Sequence, residues 1–274
     1  MLKKALIALS LFLGSQITQA CEITMGYRTN AKPPFINEMP DNSGLYYDLY
    51  HEATQRIGCE LRVMRQPKGR VMHMIEAGKI DFYPGLSYTE ERNTFATFIA
   101  NGLKDSNIGI SRADEAEVTS LKNIADRDMV MVVSFGGFDN YAEDYGINVR
   151  HPYDFTLSEI IDLILDKKAD FHAYNLLAIQ YYMMNNPEKA KQLRIHPNCC
   201  DVAHKMYLGF SKKSPHLRLI PNPDYTPEQE VSERNPLYIP APDSIAGKLQ
   251  AALVAMQDDG SFQKIYRKYF GSTP

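Results

Sequence analysis

A short polar segment, residues 87–92, carries side chains that together suit the binding of a carboxylate. Thr89 is a typical helix N-cap, and Glu90 and Glu91 would lie in the first turn of the helix that follows it. Arg92 would lie one turn into that helix, near backbone N–H groups that attract an anion. With the Ser87 hydroxyl, these groups predict an anion-binding site. The alternative is an ordinary capped helix with a solvated arginine.

The residues before this segment predict the elements that position it. Residues 71–75 follow helical spacing, and Gly78 lies where a left-handed C-cap would end such a helix. Residues 80–83 then form a compact apolar run that predicts a buried strand. The polar segment would therefore connect the end of a strand to the start of a helix.

The first twenty residues have the features of a secretory signal peptide. Two lysines precede an apolar stretch at residues 5–13, and small residues follow. The stretch is too short to span a membrane, and no other run approaches the roughly 18 apolar residues that a span requires. We expect cleavage after Ala20 and a soluble, periplasmic protein. A lipid anchor on Cys21 is the alternative.

Composition and charge argue against a nucleic-acid partner. The formal net charge is −3, and it becomes −5 once Lys3 and Lys4 are removed with the signal peptide. No basic arm and no interleaving of aromatic with basic residues is present, so we expect no nucleic-acid binding. The roughly 250 remaining residues are enough for one large or two medium domains. We expect a monomer without a cofactor.

The cysteines of an exported chain predict disulfide bonds. There are four, and Cys21 and Cys59 begin the first two predicted strands. Parallel neighbours that start level would bring these two together, so Cys21–Cys59 is the preferred pair. Cys199 and Cys200 are adjacent and would either close a small ring or stay reduced. A metal site with two nearby histidines is a third alternative, but their spacing matches no familiar ligand pattern, and we predict no metal.

Strands and helices alternate along the chain, which predicts an α/β fold with parallel strands. In the first half, residues 45–57 repeat apolar side chains every four positions and predict a helix closed by Gly58, followed by a strand at residues 59–64. A break is predicted at residues 108–114. The second half is predicted to contain strands at 129–134, 169–174 and 206–211, a helix at 157–165, a long loop at 215–242 and two terminal helices.

Seven short motifs are distributed over nearly the whole chain that follows the predicted signal peptide. They are Pro33-Pro34-Phe35, Gly44 with Tyr47-Asp48-Leu49, Gly78-Lys79-Ile80-Asp81, Thr89-Glu90-Glu91-Arg92, residues 167–174, Gly209-Phe210-Ser211-Lys212-Lys213 and Asp259-Gly260-Ser261-Phe262. In order and spacing they resemble the periplasmic solute-binding proteins of the polar amino-acid type, family 3. No single motif is decisive, but together they favour the anion-binding interpretation of Arg92.

The resemblance implies a particular architecture. It consists of two α/β lobes, each a mainly parallel sheet flanked by helices, joined by two crossing strands that let the lobes close over a ligand. On this basis lobe 1 comprises residues 21–110 and 206–274, and lobe 2 comprises residues 111–205. Residues 1–20 are the signal peptide.

The resemblance also assigns roles to particular residues. Arg92 matches the arginine that holds a ligand α-carboxylate with two parallel hydrogen bonds, a geometry that suits a guanidinium. Ser87 matches a polar contact on the same turn. Phe35 matches an aromatic residue in the cleft, with plain core packing as the alternative. On lobe 2, Tyr174 and Asn175 occupy the ligand-facing positions after a strand.

Three departures from the family pattern concern the ligand ammonium. Asn175 stands where the family often has an aspartate, and it offers no counter-charge. The glycine loop of lobe 2, residues 135–138, lacks the usual hydroxyl and offers only backbone amides and aromatic faces, including Phe138. At the position where the family often has an aromatic residue that stacks on the ligand, this chain has Lys68 and Arg70. Either cation could face the cleft; the alternative is that they are solvated charges on a loop.

These departures predict a ligand that carries a carboxylate but not necessarily a free α-ammonium. A binding module that delivers a small polar solute to an ABC-type membrane permease is the leading function, and a ligand sensor of the same fold is the alternative. An enzyme is the third class, because the family fold also hosts dehydratase chemistry. His172 and His73 are the candidates for acid–base chemistry, and no nucleophile–base motif is present in the sequence.

Overall fold

The first sheet forms around the first strand that the structure describes. The computed structural model describes residues 21–133, 142–152, 155–200 and 204–272. Its first elements are β1 (Cys21–Arg28), α1 (Leu45–Arg56), β2 (Cys59–Gln66), α2 (Lys68–Glu76), β3 (Phe82–Tyr83), α3 (Glu90–Phe95) and β4 (Ala96–Asp105). β1 pairs in parallel with both β2 and β3. This is the βαβαβ order that the sequence predicts, although the regular part of β3 is shorter than the predicted strand at residues 80–83.

A second sheet follows directly. Its elements are β5 (Asn107–Arg112), α4 (Leu121–Asp126), β6 (Val130–Val132), a 3₁₀ turn (Ala142–Tyr145), β7 (Asn148–Arg150), α5 (Leu157–Leu165), β8 (Phe171–Asn175), α6 (Leu176–Asn185), α7 (Pro187–Ala190) and β9 (Leu193–His196). The strand order is β7-β6-β8-β5-β9, with β5 antiparallel to both of its neighbours. Most of the segment predicted as a break between the lobes, residues 108–114, is therefore the regular strand β5, which pairs with β8 and β9.

The chain then returns to the first sheet. The returning elements are β10 (His204–Ser211), β11 (Leu219–Pro221), β12 (Tyr238–Pro240), α8 (Ile245–Asp258) and α9 (Ser261–Phe270). β10 lies between β3 and β4 and is antiparallel to both, which completes the order β2-β1-β3-β10-β4. β11 and β12 pair with each other, so the segment predicted as one long loop contains a two-stranded sheet.

Two crossings connect the sheets. β4 ends at Asp105 in the first sheet and β5 begins at Asn107 in the second, so only Ser106 separates them. The second crossing lies between β9 and β10. This is a two-lobed α/β fold, as predicted. The division into residues 21–110 with 206–274 and residues 111–205 stays a prediction, while the sheets change at residue 106 and before residue 204.

Local sequence signals account for several element ends. Gly58 and Gly78 follow α1 and α2 with φ of 72° and 74°, a conformation that glycine adopts without steric cost. The Thr89 hydroxyl accepts the Arg92 backbone N–H at 3.1 Å, which confirms the predicted N-cap of α3. α5 spans the same residues that its apolar periodicity predicts, and a Thr156–Glu159 capping box begins it.

Both cysteine pairs are bonded in this structure. Cys21 and Cys59 face each other in the parallel register of β1 and β2, with their Cα atoms 4.4 Å apart, which confirms the predicted disulfide. Cys199 and Cys200 are bonded to each other, one of the alternatives that the sequence left open. Among the described residues no group of three or more potential metal ligands occurs. None of the helices in these ranges combines the length and apolar composition that a bilayer crossing requires.

Candidate functional site

One large cleft opens between the two sheets. Its volume is about 1300 Å³, and residues of both sheets line it. The lining includes the carboxyl-terminal residues of three strands, Arg28 of β1, Asp105 of β4 and Asn175 of β8. Ligands of α/β sheets characteristically bind outside these strand ends. The volume exceeds that of most enclosed ligand pockets, which leaves space for the lobes to approach each other.

The predicted anion-binding segment lies in this cleft. Ser87 and Arg92 both belong to the lining. The Arg92 Nη1 donates a hydrogen bond of 3.0 Å to the Ser87 backbone oxygen. This contact uses one of the donors of the guanidinium fork and holds the guanidinium against the backbone of the Ser87 turn. The remaining N–H groups are available to a carboxylate.

Besides Lys205, three further cations of the lining act electrostatically on one another or on Arg92: Arg28, Lys32 and Lys68. We call Arg92 and these three residues the cationic cluster. Within the described residues none of the four forms an ion pair with an acidic side chain. Desolvation, together with the positive charges of Arg92 and Arg28, lowers the pKa of Lys68. The cluster is therefore a region where positive charges repel one another and an anion would relieve the repulsion.

Sequence reasoning missed Arg28 and Lys32. A usable signal existed for Arg28, because it is the last residue of a predicted parallel strand and such ends face ligand crevices. Arg70, which was predicted to contribute, is exposed on α2 and lies outside the lining, whereas Lys68 two positions earlier belongs to it. Phe138 lies outside the described residues.

Phe35 lies behind the cleft surface. Its side chain is fully buried, and its ring centroid is 4.9 Å from that of Tyr46, a lining residue. The Lys32 ammonium lies 5.4 Å from the centroid of the Phe35 ring, on the side of the cleft. Phe35 therefore packs in the core and supports two side chains of the lining, Tyr46 and Lys32. Its surroundings contain elements of both the predicted cleft role and the core-packing alternative.

Tyr174 and Asn175 line the opposite side of the cleft, at the end of β8. The Tyr174 ring stacks on His172 with centroids 5.2 Å apart. Asn175 is the N-cap residue of α6, but its side chain makes no capping hydrogen bond. The Asn175 amide is therefore left to face the cleft.

Asp105 performs the capping that Asn175 does not. Its Oδ1 accepts the backbone N–H of Leu177 in the first turn of α6 at 3.2 Å, and that of Ser106 at 2.9 Å. The side chain is almost completely buried at the crossing between the sheets, where the positive end of the helix favours its charge. Asp105 is an acidic residue of the cleft that the sequence did not identify, because the family pattern directed attention to position 175.

The two histidines considered for acid–base chemistry have different surroundings. Burial lowers the pKa of His172 to about 4, and its Nδ1 lies 2.7 Å from the Val132 oxygen. It is therefore a neutral, packed residue at the back of the cleft. His73 is exposed on α2 and lies 3.8 Å from Glu76.

The segment between β11 and β12 reaches the mouth of the cleft. Glu233 belongs to the lining, and the Tyr88 hydroxyl donates to the Val231 oxygen at 3.1 Å. The buried Asn235 amide organises this segment by donating to the backbone oxygens of Thr226 and Gln229. The segment therefore borders the cleft.

The strand order, the two crossings and the cleft define a two-lobed binding protein. The chain belongs to the bacterial extracellular solute-binding proteins, family 3, whose family model matches residues 23–272. This confirms the resemblance on which the fold and site predictions depended.

Solved structures with the same fold include amino-acid-binding proteins. The arginine-, lysine-, histidine-binding protein ArtJ of Geobacillus stearothermophilus is 16% identical, with a TM-score of 0.66 over 92% of this chain and 96% of that one. The GluR0 ligand-binding core of Nostoc punctiforme, in complex with L-glutamate, is 18% identical (TM-score 0.65, 90% and 99% covered). An ancestral amino-acid-binding protein, a precursor of cyclohexadienyl dehydratase, is 16% identical (TM-score 0.65, 91% and 95% covered). A search of curated proteins by sequence gives no match.

Proposed function

We propose that this protein captures a small carboxylate-bearing polar solute in the periplasm, by closure of its two lobes, and delivers it to an ABC-type permease. The observation that carries the proposal is the cationic cluster in the cleft between the sheets. Family membership and the amino-acid ligands of the structural neighbours support the same class of solute.

Arg92 is the proposed carboxylate ligand. Its guanidinium can make two parallel hydrogen bonds to one carboxylate, and Ser87 adds a hydroxyl on the same turn. Tyr174 and Asn175 approach from the other lobe, so closure would bring an aromatic face and an amide onto the bound solute. Each lobe alone would present only part of this site.

The periplasmic location depends on two features. Residues 1–20 have the pattern of a cleavable signal peptide, and the Cys21–Cys59 disulfide is of a kind that persists in oxidising compartments. A sensor of the same fold would have the same cleft, and its partner would be a signalling protein instead of a permease. Uptake of a labelled solute by cells with and without the protein separates these two roles.

The binding test starts from the native protein. Mass spectrometry of small molecules that co-purify with it, followed by a thermal-shift screen of amino acids and of organic acids, identifies a ligand. A ligand at 100-fold excess over Kd stabilises by about 2.7 kcal/mol, which the screen detects readily.

Arg92→Ala tests the role of the guanidinium, and Arg70→Ala is its matched control because Arg70 is an exposed cation outside the cleft lining. We expect Arg92→Ala to weaken binding about tenfold or more, since a charge-assisted hydrogen bond is lost. Arg70→Ala should change Kd by less than about twofold, as expected of a screened surface charge. Equal Kd values for wild type and Arg92→Ala, measured by calorimetry, would refute the proposed site.

A further inference from the structure

Lys32 occupies a cation site that the protein itself builds inside the cleft. Its ammonium lies 5.4 Å from the centroid of the Phe35 ring and 5.4 Å from that of Tyr174. The negative charge of Asp105 also acts on it. Two aromatic faces and a carboxylate are the groups with which proteins recognise an ammonium. In this cleft, these groups already surround the ammonium of Lys32.

The backbone of this turn holds Lys32 in place. Its N–H donates to the Ile36 oxygen at 2.9 Å, and its own oxygen accepts the Phe35 N–H at 2.8 Å. The Lys32 side chain also connects the two halves of the site, because Phe35 precedes α1 in the first lobe and Tyr174 is the penultimate residue of β8 in the second. Closure of the lobes would therefore enclose this ammonium with the solute.

The charges of the lining indicate what the solute must supply. Among the described residues five cationic side chains line the cleft: Arg28, Lys32, Lys68, Arg92 and Lys205. Three acidic side chains line it: Glu38, Asp105 and Glu233. The excess of two positive charges matches a ligand with two negative charges, because burying an uncompensated charge on closure is costly.

We propose that Lys32 takes the place of a ligand ammonium, and that the solute is an amine-free dicarboxylate. One carboxylate would bind Arg92 and Ser87, and the other would lie against Arg28 and Lys32. This inference rests on the proposed function and specifies its solute class. An α-amino acid would instead place a second ammonium beside Lys32, where like charges repel.

The test compares acids that differ only in the amine. Calorimetry of the wild-type protein with glutarate against L-glutamate, and with succinate against L-aspartate, measures the preference directly. We expect the amine-free member of the better-binding pair to bind about tenfold or more tightly, because an unfavourable charge contact is absent. An amino acid that binds as tightly as its amine-free partner overturns the inference.

Variants at position 32 test the assigned cause. Lys32→Met removes the charge and keeps the length, so the preference for the amine-free acid should fall about tenfold or reverse. Lys32→Arg keeps the charge and should retain the preference. Lys104→Met, an exposed residue of β4 outside the lining, is the control and should behave as wild type. An unchanged preference in a folded Lys32→Met protein contradicts the inference.

The outcomes separate this inference from the proposed function. Amino acids that bind in an Arg92-dependent manner, without discrimination against the amine, would refute the role of Lys32 and leave the carboxylate-binding cleft intact. If no amino acid and no organic acid binds the wild-type protein, both fail. If Lys32→Met does not fold, the wild-type pairs and Lys32→Arg still decide the question.

Discussion

At the scale of single residues, the charge state of Lys32 makes binding depend on pH. The pKa of Lys32 is lowered to about 8, chiefly by burial; the negative charge of Asp105 opposes the shift, and the positive charges of Arg28 and Lys68 add to it. The phenol of Tyr174 also faces it and stays neutral, because desolvation raises its pKa. A bound dianion would raise the pKa of Lys32, so binding takes up a proton wherever the free protein has lost it.

The affinity for glutarate should therefore change little between about pH 7, where both of its carboxyl groups are ionised, and about pH 8, and it should fall above that. The loss is at most about tenfold per pH unit, until the pKa of Lys32 in the complex is reached. Calorimetry at pH 7, 8 and 9, in buffers of different ionisation enthalpy, measures both the affinity and the proton uptake.

Lys32→Met is the control for this pH dependence. Its affinity should vary much less with pH, and any remaining slope would come from Lys68, whose pKa is also lowered. The same slope in wild type and in Lys32→Met would show that Lys32 is not the titrating group.

The sequence identified some residues of the site and not others, for a physical reason. Ser87 and Arg92 were found because a local motif, the N-cap and first turn of a helix, positions them. Arg28 had a signal that was not used, its place at the end of a predicted parallel strand, whereas Lys32 and Asp105 belong to the site only because separate elements meet at the crossing between the sheets. Such a meeting depends on tertiary packing and leaves no local pattern in the sequence.

At the scale of elements, the same distinction separates correct from incorrect predictions. α1 and α5 have apolar side chains at helical spacing, so their own sequences define them. β5 was missed because its place depends on antiparallel neighbours that lie far away in the chain, β8 and β9. β11 and β12 were missed because residue 219 pairs with residue 240, across a long proline-containing segment.

The turn between β3 and α3 shows how closely these elements pack. A Cβ atom added at Gly85 would lie 2.0 Å from the hydroxyl oxygen of Tyr46. The Tyr46 ring is buried and packs between Tyr27 and Phe35, so it has little space to move. Gly85 is therefore required where the backbone leading to Ser87 passes the first-lobe core.

Gly85→Ala should destabilise the protein by about 1–3 kcal/mol, the usual cost of overpacking, and weaken solute binding by displacing the Ser87 turn. Gly69→Ala is the matched control, because nothing lies within 4 Å of an added Cβ there. As Gly69 lies inside α2, that change should stabilise by up to about 1 kcal/mol. Urea denaturation of the two variants shows whether each change lowers or raises the free energy of unfolding. Equal denaturation midpoints for the two variants would contradict the assigned packing of Gly85.

At the scale of the whole molecule, the disulfide and the binding cleft lie at opposite ends of the strands of the first sheet. The Cys21–Cys59 disulfide joins the amino-terminal ends of β1 and β2. The cleft lies at the other ends of these strands, where Arg28 pairs in register with Gln66. A change at the disulfide end should therefore alter stability without altering solute affinity, and a change at the cleft end should do the reverse.

Replacing Cys21 and Cys59 together by serine should lower stability by about 2–4 kcal/mol, because the bond closes a long loop in the unfolded chain. The residues that it connects are 38 positions apart. Solute affinity of the folded variant should remain within about twofold of wild type, since no group of the cleft is touched. Arg92→Ala provides the reverse comparison, with weakened binding and a nearly unchanged melting temperature in the absence of solute. A disulfide variant that melts at a lower temperature and also loses binding would show that the two ends of these strands are coupled. The position of the cationic cluster would then depend on the disulfide.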